Sequence, residues 1–150
     1  MVRGKENQPW SGQADVVYRN SNTTAWINGR RWENNPGAVL VVPNAHVENI
    51  YALDRELAGD IHETVQRIAF AMKAAFGCDG VSTRQHNEPG AMQEVWHYHL
   101  HVFPRWRGDD LYRSNARLSA AGEREPYASA LREAIELRDL SPHFRTDSSA

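Results

Sequence analysis

Hydrophobic residues recur along this chain with two periods, and the change of period marks the elements. From Leu53 onward, apolar side chains fall at Leu53, Leu57, Ile61, Val65, Ile68, Met72 and Phe76, at intervals of three and four. That spacing draws a single apolar stripe along a helix. Asp54 is placed to cap its start and Gly77 to close its end. Gly59 costs the helix something but leaves the stripe intact. Elsewhere the pattern is that of strands. Residues 15–18 and 23–28 read as short strands joined by the turn Asn20-Ser21-Asn22. Residues 38–42 are apolar throughout and read as a central strand that stops at Pro43. Residues 81–87 and 94–103 read as two more strands, with Glu88-Pro89-Gly90 as the loop between them. Asn28-Gly29 and Asn34-Asn35-Pro36-Gly37 are turn signals, and the segment from Gly29 to Asn35 reads as a loop. Pro126 suits the first turn of a C-terminal helix running to about Arg138, with Leu131 and Ile135 on its apolar face. Strands, one long helix, strands and a helix make an α+β fold with a mostly antiparallel sheet of about five strands.

Length and charge narrow the picture further. A chain of 150 residues is expected to form one domain. Its boundaries are set at 15–140, with a flexible polar lead-in over 1–14 and a polar tail over 141–150. The formal net charge of -2 supplies no basic field for nucleic acid. The one cysteine, Cys78, has no internal partner, which fits a reducing compartment. No apolar run is long enough to span a membrane, and the first residues do not resemble a signal peptide. The expected location is the cytoplasm.

The concentrated chemistry lies in the last of these strands. His97, His99 and His101 alternate with Trp96, Tyr98, Leu100 and Val102. Period two puts three imidazoles on one face and the apolar set against the core. Three readings compete. A purely structural strand would gain little from aligned imidazoles, which repel when protonated. A zinc site must gather rings whose α-carbons lie about 6.5–7 Å apart on a flat strand, with Glu94, His86 or His46 as further ligands. The third reading is nucleophilic catalysis. A neutral imidazole attacks phosphorus without prior deprotonation, and its neighbours can hold a phosphate oxygen.

The run His97-Tyr98-His99-Leu100-His101-Val102-Phe103 resembles the histidine-triad superfamily of nucleotide hydrolases and transferases, whose signature is His-φ-His-φ-His-φ-φ with φ apolar. Other landmarks agree with that pattern: Asn87 ten residues before His97, Gln93 four before it, and the strand and loop from Pro36-Gly37 through Pro43 to His46. The resemblance spans roughly 15–110. It implies a histidine-triad fold, a homodimer that extends the sheet, a small-molecule purine nucleotide as substrate and no cofactor. His99 would attack the α-phosphate and form a nucleotidyl-histidine. His101 would contact the phosphate and leaving group, and His97 with His46 would fix the protonation pattern. Gln93 would bind or orient at the phosphate, Asn87 would shape its pocket, and Asn28 falls near the ribose position.

Departures from the pattern bear on substrate choice. Glu94 stands where many members carry Ser or Thr. A carboxylate there would repel a polyphosphate; it would instead favour a cationic or amine-bearing leaving group, or serve as a general acid where burial raises its pKa. Ala38 replaces a histidine often found after the Pro-Gly pair, and no Cys-x-x-Cys suggests a structural metal. Two alternatives stay open: a nucleotide-binding interaction protein with little turnover, and a metal-dependent hydrolase built on the histidine cluster.

Overall fold

A computed structural model describes residues 12–141. The flexible ends expected at 1–14 and 141–150 fall largely outside them. Among the described residues no helix is long and apolar enough to cross a membrane.

Strands β1 (Val16–Arg19), β2 (Thr23–Ile27) and β4 (Val39–Pro43) enter the sheet in turn, with β3 (Arg30–Arg31) set aside from it. Helix α1 (Arg55–Phe76) follows, then β5 (Gly80–Arg84) and β6 (Leu100–Arg105). The short strand β7 (Arg117–Leu118) pairs with β3, and helix α2 (Ala121–Leu140) ends the fold. The main sheet has the order β1-β2-β4-β6-β5, antiparallel throughout. β4 is buried along its whole length, as its unbroken apolar sequence predicts.

Helix α1 forms where its stripe placed it. The Asp54 carboxylate accepts from the Leu57 N–H at 2.8 Å, and Gly77 closes the helix with φ 61°. Ile61, Val65, Ile68 and Met72 pack with Val39, Val41, Leu100 and Val102 in one core. Both helices cover that face of the sheet. Gly37, ahead of β4, has φ 87°, and a Cβ there would lie 2.8 Å from the Phe76 ring. The Pro36-Gly37 pair is therefore a place where the end of α1 rests on bare backbone.

Beyond the far end of β6 the Asp109 carboxylate is saturated. Asp109 accepts from Arg105 Nε at 2.7 Å and Nη2 at 2.8 Å, and from Asn35 Nδ2 at 2.7 Å. The Trp106 and Leu111 N–H groups complete its shell at 3.0 and 3.3 Å. The Arg105 guanidinium, with these N–H donors, holds the Asp109 carboxyl well below the usual carboxylate range.

Several sequence expectations need correction. The histidine strand begins at Leu100, so His97 and His99 precede it, and Trp96 is 47% exposed instead of packed. β5 ends at Arg84, short of Asn87. β6 continues through Pro104, which sits in the ladder opposite Val81. Helix α2 starts at Ala121, so Pro126 lies inside it; the Glu123 carboxylate accepts from the Ala120 N–H at 2.8 Å and organises the earlier start. The segment after Gly29 is not all loop, since it contains β3.

Candidate active site

Two partners fix the course of the triad. From Leu100 onward, β6 is clamped between β4 and β5: Leu40 and Arg84 both lie opposite His101. Ahead of Leu100 the ladders stop, and the main chain is held by the Tyr98 N–H donating to Val47 C=O at 2.6 Å. Tyr98, Leu100 and Val102 still enter the core, as alternation predicts. His101 and Phe103 take the opposite face, their rings stacked with centroids 5.7 Å apart. Trp32 meets both edge-on.

Each triad ring is held by one pole. His99 Nδ1 lies 2.8 Å from the His97 carbonyl oxygen. A carbonyl only accepts, so Nδ1 carries the proton and Nε2 keeps its lone pair in the neutral ring. His97 Nε2 donates to Pro43 C=O at 2.8 Å. Burial lowers the His97 pKa, and the neighbouring His46 and His99 add to that against the pull of Pro43 C=O. His46 faces His97 with ring centroids 5.5 Å apart. His101 lies deepest. Burial, followed by its cationic and imidazole neighbours His99, Arg84, His86 and Arg30, pushes it down to about 3. The His99 and His101 rings are 5.3 Å apart.

The other sequence-predicted residues flank this row. Asn28, buried just after β2, points Nδ2 at His101 Nδ1 at 3.4 Å. Glu94 meets Arg30 at 3.1 Å across the mouth of the site, both side chains more than half exposed. Gln93 is buried and fully engaged with backbone: it accepts from the Glu88 N–H and donates to the Glu48 and Val95 carbonyls. Asn87 accepts from the Ile50 N–H at 2.8 Å and exchanges hydrogen bonds with Gln85. Gln93 and Asn87 thus tie the segment before the triad to the loop after His46. Among the described residues no group of three or more His, Cys, Asp or Glu is arranged to hold a metal ion.

Sequence reasoning missed two basic residues here, Arg30 and Arg84. Arg84 lies across the ladder from His101, with its guanidinium 5.0 Å from the Phe103 ring centroid and 5.5 Å from that of Trp32. Arg84 reaches the row through the β5–β6 register and Arg30 through its ion pair with Glu94, so no local signal marked either. His86 lies beside them, its ring 6.3 Å from His101, and the two guanidiniums give the site a positive field suited to an anion.

Comparison with known proteins agrees with this geometry. The HIT domain profile matches residues 12–108. Protein hit of Bacillus subtilis is 40% identical over 74 residues, a match covering 49% of this chain and 51% of that protein, so the chain spans about half the length of that relative. The bis(5'-adenosyl)-triphosphatase of Dictyostelium discoideum is 33% identical over 107 residues, covering 70% of this chain and 72% of that enzyme. The crystal structure of a Hit-like protein from Bartonella henselae superposes with a TM-score of 0.73 at 30% identity, covering 80% of this chain and 85% of that one. The family includes nucleotide hydrolases, the Dictyostelium triphosphatase among them. From fold, triad and these matches together, this chain belongs to the HIT domain family.

Proposed function

We propose that the protein is a nucleotide hydrolase or nucleotidyl transferase that works through a covalent intermediate on His99. The observation that carries this reading is the His99 Nδ1 bond to the His97 carbonyl, which leaves the Nε2 lone pair available beside His101. Nε2 attacks the α-phosphorus of a purine nucleoside phosphoester, phosphoramidate or dinucleoside polyphosphate. The P–N bond forms as the bond to the leaving group breaks. The leaving atom keeps that electron pair and takes a proton from water. A water molecule, losing a proton to solvent, then attacks phosphorus as the P–N bond breaks; that electron pair returns to His99 Nε2 and the nucleoside monophosphate leaves. Another acceptor in place of water makes the reaction a transfer.

In this reading His101 contacts the phosphate, while His97 and His46 hold the protonation pattern of the row. Asn28 lies on the ribose side. Gln93 and Asn87 orient the loops that form the phosphate pocket, and Glu94 faces the leaving group. Arg30 and Arg84 supply the positive field. The expected assembly is a homodimer that extends the sheet, and β5, at one end of the strand order, offers an edge for it.

The test is hydrolysis of adenosine and guanosine phosphoramidates and dinucleoside polyphosphates in the presence of chelator, with His99→Ala alongside. Cleavage by the parent and not the variant supports metal-free histidine chemistry. Cleavage that stops with chelator favours a metal-dependent hydrolase, and tight nucleotide binding without cleavage favours an interaction protein.

A further inference from the structure

Asn28 does more here than face a ribose. Its amide can be oriented without ambiguity, because the Arg30 N–H donates to Asn28 Oδ1 at 2.9 Å. An N–H needs an acceptor, so the oxygen lies there and the NH2 faces His101 Nδ1 at 3.4 Å. An amide NH2 has only protons to offer. His101 Nδ1 must therefore be the bare nitrogen, and the ring proton must sit on Nε2.

We infer that Asn28 is a positioning residue that fixes His101 as its Nε2–H tautomer, so that adjacent triad imidazoles present opposite groups: a lone pair at His99 and an N–H donor at His101. Two chemically identical side chains are told apart by their Nδ1 partners, a carbonyl for one and an amide NH2 for the other. The charged and titratable groups around His101 all favour the neutral ring. Arg84 and His86 approach from β5 and the segment after it, Arg30 from β3, and His99 from the preceding turn. Glu94 is occupied by Arg30. A neutral His101 is a hydrogen-bond donor to a phosphoryl oxygen, not an acid that gives its proton away.

The catalytic meaning of this tautomer rests on the proposed nucleotidyl chemistry, but its test does not. Nitrogen-15 NMR of the resting protein near neutral pH, with each histidine assigned by substitution, reads both ring nitrogens directly. The expected spectrum has His99 protonated at Nδ1 and His101 protonated at Nε2. A His101 proton on Nδ1 overturns the inference, whatever the enzyme cleaves. In Asn28→Asp the carboxylate still accepts from the Arg30 N–H but now demands a proton on His101 Nδ1. The His101 ring should then switch tautomer or titrate at a higher pH, and turnover should fall on the order of 10²-fold, the cost of one lost transition-state donor. Unchanged His101 nitrogen shifts in a folded Asn28→Asp protein also overturn it. The expected wild-type tautomers with no cleavage of any substrate would count against the proposed function alone.

Discussion

Strand β6 has a polar cluster at each end, and the two are built on opposite plans. At its far end Asp109 accepts five hydrogen bonds from Arg105, Asn35 and two main-chain N–H groups. At its start the triad rings are each held by one nitrogen, and His99 Nε2 has no hydrogen bond among the described residues. A carboxylate filled in this way has nothing left to offer a ligand and serves the fold. A row of rings gripped at one pole has orientation without saturation, which is what a reacting group needs.

The comparison breaks most visibly by removing His99, the nucleophile of the proposed reaction. His99→Ala is expected to lower cleavage by about 10³-fold or more, while nucleoside monophosphate binding stays within a few fold and denaturant stability hardly moves. Strong residual turnover would remove His99 from its assigned role. The complementary change is Asp109→Ala. It strands Arg105 and several buried N–H donors, so urea unfolding should show a loss of about 2–3 kcal/mol, with the pH dependence of any cleavage unchanged. A loss below 0.5 kcal/mol, on the order of an ordinary surface change, would mean the Asp109 cluster is not structural.

Acid separates the two ends more gently. The native pKa of His101 lies below its unfolded value, so the unfolded chain binds the extra proton and stability falls as pH drops. The window runs from about 6.5, the unfolded value, down to about 3, the folded one. The slope from this ring is at most about 1.4 kcal/mol per pH unit. Asp109, held low, adds its own loss at the acid end. Chemical denaturation at stepped pH should show a shallower slope in His101→Gln than in the parent. The smallest stability effect is expected at Glu94→Gln, since an exposed ion pair contributes about 0–1 kcal/mol. Its readout is selectivity: the ratio of polyphosphate to phosphoramidate cleavage should rise several-fold. A fall in that ratio would show that Glu94 does not oppose negative charge.

Some of this was legible in the chain and some was not. Helix α1 followed from its stripe, its Asp54 cap and Gly77, because those signals are local. The triad was legible as a motif, and the inward facing of Tyr98, Leu100 and Val102 followed from alternation. The start of β6 was not legible, because it depends on where its neighbours run out. β4 pairs with β6 only from Val39 to Val41, and the Pro43 carbonyl is taken by the His97 ring. Trp96, placed ahead of the ladder, consequently has no sheet to pack on. The start of α2 depends on Glu123, whose grip on the Ala120 N–H outweighs the usual preference of Pro126 for a first turn. Arg84 and Arg30 entered the site through sheet register and a cross-loop ion pair, neither of which is written in local sequence.

The single main-chain bond from Tyr98 to Val47 bears on the order in which the molecule assembles. It closes a loop that contains all of α1 and β5, so its closure costs least once both have docked. The histidine row should then be among the last parts to organise on refolding and among the first to open in the native state. Amide exchange at Tyr98 would occur through partial opening while the interior of α1 stays protected. Such openings would unmake the histidine row and leave the hydrophobic interior intact.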